Sequence, residues 1–136
     1  MSRPIIRVSA ALIVDEFGRV LLVRKHGTTM FMQPGGKPEP GESAADALAR
    51  ELHEEVGLRV DPADLHYLGS FEADAANERG HALVAEMFAV RVSAPVIVTA
   101  AAEIAELRWF AVDELGGPTI APLTRDTAPA LVRRGA

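Results

Sequence analysis

Between Ser43 and Gly57 the chain carries both ends of one helix, and that segment limits the fold more than any other. Ser43 is placed to cap the first turn, with Asp46 three residues on, and Gly57 stands where a helix ends in the left-handed conformation. On a wheel of about 100° per residue, Ala45, Leu48, Leu52 and Val56 fall within one stripe about 80° wide and read as the core face. Glu51, Glu54 and Glu55 fall on a separate face, beside Ala44 and Ala47. Carboxylates three and four apart repel by roughly 0.2–0.5 kcal/mol per pair, and they stand near the C-terminal end, where the helix dipole opposes negative charge. The face holds no lysine, and Arg50 at its edge is the nearest cation. A hard divalent cation with oxygen ligands would offset that cost; an ordinary solvated acidic face is the alternative.

Around this helix the pattern is mostly strand. Residues 7–14 (RVSAALIV) and 20–24 (VLLVR) flank DEFG, a hairpin turn, and MFM at 30–32 reads as a further short strand. Residues 65–71 and 81–92 read as strands separated by the polar loop EADAANERG. Residues 107–110 (LRWF) form another strand, followed by a helical turn at VDEL. A final short helix is expected near APALVRR, with Thr127 and Pro129 near its start. Strands outnumber helices, so the class is α+β or mixed α/β. The sequence shows no repeat and no second domain, so we expect a single domain over residues 1–136.

Composition removes several function classes. The chain has no cysteine, which excludes disulfides, thiol catalysis and cysteine-ligated metals. Its net charge of −5 argues against nonspecific binding to nucleic acid or anionic membrane. No apolar run approaches the roughly 20 residues of a membrane span, and the N-terminal stretch MSRPIIRVSAALIVDEFG has no clean apolar core of a secretory signal. A cytoplasmic protein is the expectation. His26, His53, His66 and His81 show no ligand spacing.

The loop before the helix, QPGGKPEPGE, completes a longer pattern. Gly36, five residues, Glu42, seven residues, then Arg50-Glu51-Leu52-His53-Glu54-Glu55-Val56-Gly57-Leu58 resembles the signature of the Nudix hydrolases at every defined position. The resemblance to small MutT-like members implies an α/β/α sandwich around a mixed β-sheet, with residues 36–58 forming a loop–helix–loop. It implies hydrolysis of a nucleoside diphosphate linked to another group, with Mg²⁺ or Mn²⁺ as cofactor. Glu54 and Glu55 would then be metal ligands, and Glu51 a ligand or the residue that positions water. Arg50 would orient the glutamates through charge-assisted hydrogen bonds. The Gly35 carbonyl would complete the metal site, with Gly36 allowing close approach and Glu42 bracing loop against helix. An acid outside this segment would join as metal ligand or general base: Glu103 is the first choice, with Glu106 and Glu86 as competitors. Lys37 and Arg24 are the cations proposed for phosphate. Gln33, where many relatives carry an apolar residue, would help choose the substrate if its side chain enters the cleft.

The substrate is less constrained. At the offsets where ADP-ribose and dinucleoside polyphosphate hydrolases tend to carry a proline or a tyrosine, this chain has Asp74, Ala75 and Ala76; Tyr67 comes too early. Elimination leaves a nucleoside triphosphate, with ADP-ribose or nucleotide-sugar hydrolysis as the alternative and a non-catalytic nucleotide sensor as a second one. The stretch TRDTAPAL lacks the asparagine with which oxidised-guanine enzymes read the base. Asp126 or Thr127 could replace it, though helix capping suits them better. Homodimers are common in the family; nothing in this sequence demands one.

Overall fold

The computed structural model describes residues 3–93 and 99–136. Its strands are β1 (Ile5–Val14), β2 (Val20–Lys25), β3 (Gly35–Gly36), β4 (His66–Asp74), β5 (Ala82–Arg91) and β6 (Ile104–Phe110). The helices are α1 (Ala44–Val56) and α2 (Pro122–Arg133), with single 3₁₀ turns at Pro62–Asp64 and Val112–Glu114. The strands form one mixed sheet in the order β4-β5-β1-β2-β6, and β3 pairs with β1 off that path. β1 runs parallel to β5 along its whole length, from Ile5↔Ala82 to Val14↔Arg91. The other strand pairs are antiparallel.

Helices cover both faces of the sheet. One face carries α1, whose Leu48, Leu52 and Val56 pack on Ala11, Ile13, Leu21, Val23 and Phe88. The other carries α2 and the turn at Leu115, packed on Leu12, Val14, Val20, Leu22 and Phe110. Consecutive residues of β1 and β2 therefore alternate between two buried faces, which is why both strands are apolar throughout. The caps of α1 are as expected: the Ser43 hydroxyl accepts the Asp46 N–H at 3.1 Å, and Gly57 adopts φ 72°. No helix among the described residues is long and apolar enough to cross a membrane.

Four expectations need correction. The segment MFM is no strand: Phe31 and Met32 make only single bridges, to Ile120 and Val23. The glycines after it form the strand instead, because β1 and β2 pair only at Val14↔Val20 and then splay, and residues 31–36 fill the gap. β4 extends to Asp74, into the expected loop, its side chains alternating outward as a half-solvated strand permits. Helix α2 begins at Pro122, where a proline at the first helical position lacks only an N–H that would go unpaired anyway. Asp126 and Thr127 consequently lie inside the helix and cap nothing. Thr127 donates to the Leu123 carbonyl and Asp126 pairs with Arg125.

Candidate active site

The splay of β1 and β2 opens a cleft of about 880 Å³, lined at one end by the glycine loop and α1. Gly35 and Gly36 pair with Ala10 and Ser9 of β1 while α1 closes from above. A Cβ on Gly35 would collide with the Ser9 carbonyl oxygen, and one on Gly36 would lie 2.6 Å from the Glu51 carboxylate. Gly35 is thus required by the contact of the loop with β1, and Gly36 by its contact with the helix.

Arg50 organises the acids. Its Nε and one terminal nitrogen donate to the two oxygens of Glu42 at 2.8 and 2.9 Å. The other terminal nitrogen donates to Glu51 at 3.0 Å and to Glu54 at 3.3 Å. A further bond reaches the Lys37 carbonyl at 3.3 Å, fastening the loop to the helix. The Arg50 guanidinium, helped by the Glu39 N–H, pulls the Glu42 carboxyl down to about 2. Glu42 in turn raises Arg50 further above its already high value.

The three helix glutamates are not equivalent. Glu54 is half exposed and shares Arg50. Glu51 is largely covered, and burial raises its pKa against the lowering effect of Arg50. Glu55, assigned to a separate acidic face by the helical wheel, is buried at 6% exposure. Burial pushes its carboxyl up to about 7, against the Gly35 N–H that donates to it at 3.1 Å. The wheel fails here because β1 and β3 lie under that side of α1, which buries Ala47 and Glu55 with the core stripe.

Among the acids outside this segment, the geometry separates the three candidates. Glu103 lines the cleft, held at the start of β6 beside Ala102, whose φ of 55° is the one positive value among the described non-glycine residues. Such strain is retained where the surroundings fix it, often at functional sites. Glu106 points to the opposite face, paired with Arg24 at 3.3 Å and Arg108 at 3.0 Å, with Arg108 over the Phe31 ring. Glu86 accepts from the Tyr67 hydroxyl and does not line the cleft. Arg24 is likewise spent on Glu106 and the Thr28 carbonyl, outside the cleft, which corrects its expected place near phosphate. Lys37 lines the cleft.

The cation missed by the sequence reading is Lys25. Lys25 continues the alternation of Leu21 and Val23, which pack under α1, and the register shift beside it skips Ala105 of β6. Lys25 lies 3.6 Å from Glu103, and its charge lowers the pKa of both Glu51 and Glu55. Gln33 lines the cleft but is 7% exposed, its amide tied to Ala11 and Thr124.

Among the described residues no three His, Asp or Glu side chains form a ready-made metal cage. The donors nevertheless suit a hard divalent cation. Glu55 is a buried carboxylate raised by desolvation, Glu51 is beside it, and the glycine loop leaves no side chain in the way. Mg²⁺ commonly takes one or two carboxylates and fills its remaining positions with water and substrate phosphate.

A family model described as NUDIX domain matches residues 4–132. An 8-oxo-dGTP diphosphatase from Haemophilus influenzae is 40% identical over 76 residues, covering 53% of this chain and 56% of that protein. An RNA pyrophosphohydrolase from a Shewanella species is 42% identical over 59 residues, 43% of this chain and 33% of its own length. The chain therefore spans little more than half of the first relative and a third of the second. Among solved structures, a MutT protein from Methanosarcina mazei Go1 superposes with a TM-score of 0.78 at 26% identity, covering 98% of this chain and 96% of that one. The E. coli ORF135 protein gives 0.71, also at 26%, with 98% and 93% coverage.

Proposed function

This chain belongs to the Nudix family, and from that premise we propose that it is a metal-dependent hydrolase of a diphosphate bond in a nucleoside triphosphate or related nucleoside diphosphate compound. The observation that carries the reading is the conjunction of Glu51 and Glu55, covered carboxylates over a side-chain-free glycine loop, with Lys25 and Lys37 lining the same cleft. Glu51, Glu54, Glu55 and the Gly35 carbonyl would hold the cation, Mg²⁺ or Mn²⁺, and Glu103 would serve as the base beside it. When bound, it neutralises the diphosphate and lowers the pKa of a water.

The chain's own groups do the rest. Arg50 keeps Glu51 and Glu54 in place through its hydrogen bonds and, through Lys37, fixes the loop on which phosphate rests. Lys25 and Lys37 offset the charge of the phosphate oxygens. Glu103, exposed at the cleft mouth, accepts the proton of the attacking water as its oxygen bonds to phosphorus. The bridging P–O bond breaks, and the products are a nucleoside monophosphate and the phosphate-containing remainder. An uncleaved polynucleotide is a poorer candidate than a free nucleotide, since a chain of net charge −5 gains little from a phosphate backbone.

The test is a panel of NTPs, dNTPs, ADP-ribose and nucleotide sugars with Mg²⁺, read by phosphate or pyrophosphate release. Turnover of a triphosphate supports the reading, and turnover of ADP-ribose or sugar nucleotides alone moves it to that alternative. Inactivity on every compound overturns it.

A further inference from the structure

The end of the cleft away from the carboxylates is aliphatic. Val8, Ala10, Leu83 and Leu123 belong to one buried cluster and line the cleft with Ile6. Among the described residues no Phe, Tyr or Trp lines it, so a ring entering here meets no such stacking partner. One buried polar pair interrupts this apolar wall: Gln33 at 7% exposure and Thr124, from α2, at 0%.

The orientation of that pair is determined by chemistry. The Ala11 carbonyl can only accept, so the Gln33 Nε2 must face it, at 3.1 Å. Oε1 is therefore directed to Thr124, whose hydroxyl must donate, at 3.0 Å. Once both bonds are made, the amide retains one N–H and one oxygen lone pair. A buried amide left partly unsatisfied is costly, and a hydrophobic residue would fill the same wall without that cost. Gln33 is also only two residues from Gly35, whose N–H holds Glu55.

We infer that Gln33 is the residue that selects the substrate's base, reading a hydrogen-bonding edge of a planar heterocycle, and that Thr124 is a positioning residue that holds the amide in one orientation. This deepens the hydrolase reading by assigning the other end of the same cleft. Asn77, an exposed amide on the β4–β5 connection, also lines this end, and the experiment separates it from Gln33. Because the aliphatic wall binds any base alike, discrimination rests on the edge contact. A site built to hydrogen-bond its ligand rejects one that leaves the site's polar groups unpaired.

The experiment measures equilibrium binding of AMP, GMP, CMP and UMP without metal to the wild type, Gln33→Met, Thr124→Val and Thr124→Ser. Thermal melts confirm folding of each. We expect wild-type affinities to spread by at least about fivefold, the low end of what one unmatched polar contact imposes. Gln33→Met and Thr124→Val should each compress the spread below about threefold, and Thr124→Ser, which keeps the hydroxyl, should restore it. If Gln33→Met does not fold, the Thr124 pair decides. A wild-type spread below threefold, no binding of any monophosphate, or an unchanged ranking in the variants overturns the assignment; the last result transfers it to Asn77. Loss of hydrolysis across the triphosphate panel with discrimination intact would refute the proposed reaction and leave this inference standing.

Discussion

Replacing Gly36 by alanine displaces Glu51 without deleting it. The added Cβ would stand 2.6 Å from both Cδ and Oε1 of Glu51 and 3.1 Å from Oε2. Carbon contacts settle near 3.5–4.0 Å, so the carboxylate must retreat by roughly 1 Å. It cannot do so freely, because Arg50 holds it at 3.0 Å and also engages Glu42 and Glu54. The backbone itself accepts the change, since Gly36 lies outside the left-handed region. A misplacement of about 1 Å in a catalytic group costs on the order of 100-fold, or about 2.7 kcal/mol in the barrier. We therefore expect kcat/KM on the best triphosphate to fall about 100-fold while the circular dichroism spectrum stays native. Adding Glu51→Asp shortens the obstructing side chain by one methylene and should recover part of the loss, so the two substitutions couple in a double-mutant cycle. The reasoning fails if Gly36→Ala retains kcat/KM within threefold of wild type, or if the two losses simply add. Gly35→Ala is the contrast: at φ 153° and against a backbone oxygen, its Cβ has nothing flexible to displace, and loss of folded protein is expected.

Glu55 gives a stability prediction for the metal-free protein. Its folded pKa is raised to about 7 from 4.5, so its favourable contribution is complete below 4.5 and is lost as pH rises through 7. Urea titrations in EDTA should show stability falling by roughly 2–3 kcal/mol between pH 5 and 8 on its account, and Glu55→Gln should flatten that slope. Glu42, lowered to about 2, has the opposite sign: its contribution is present above 4.5 and lost toward pH 2, outside that window. Arg50→Lys cannot reproduce the two-pronged bond to Glu42 or the reach to Glu51 and Glu54, so melting temperature and activity should both drop; a variant equal to wild type in both would refute Arg50 as organiser. Glu103→Gln should lower kcat by about 100-fold and Glu106→Gln should stay within twofold; the reverse order would reassign the base. Ser43→Ala removes the α1 cap and should cost about 1 kcal/mol in urea unfolding.

What the sequence made legible is what neighbours along the chain determine. Helix α1, its caps, the DEFG hairpin and the spacing from Gly36 to Leu58 rest on local chemistry and hold in the structure. Pro122 was a legible start for α2, masked by the more conspicuous Asp126-Thr127. The side-chain parity of Lys25 and Arg24 was not legible. Residues 20–23 are apolar on both faces, so no alternation marks which cation turns toward α1; the packing of Leu21 and Val23 under α1 decides it. The same dependence on partners divides the acids of α1. Along the helix Glu51, Glu54 and Glu55 are three like charges, each raising the cost of the others. In the fold they differ: Arg50 reaches Glu51 and Glu54, whereas Glu55 is pressed onto the glycine loop, where the Gly35 N–H donates to it. The sequence could show that the helix carries a charge problem. Arg50 answers part of it within the helix itself, and the pairing of β3 with β1 concentrates the remainder in the buried carboxylate of Glu55, where a divalent cation would stabilise the protein most.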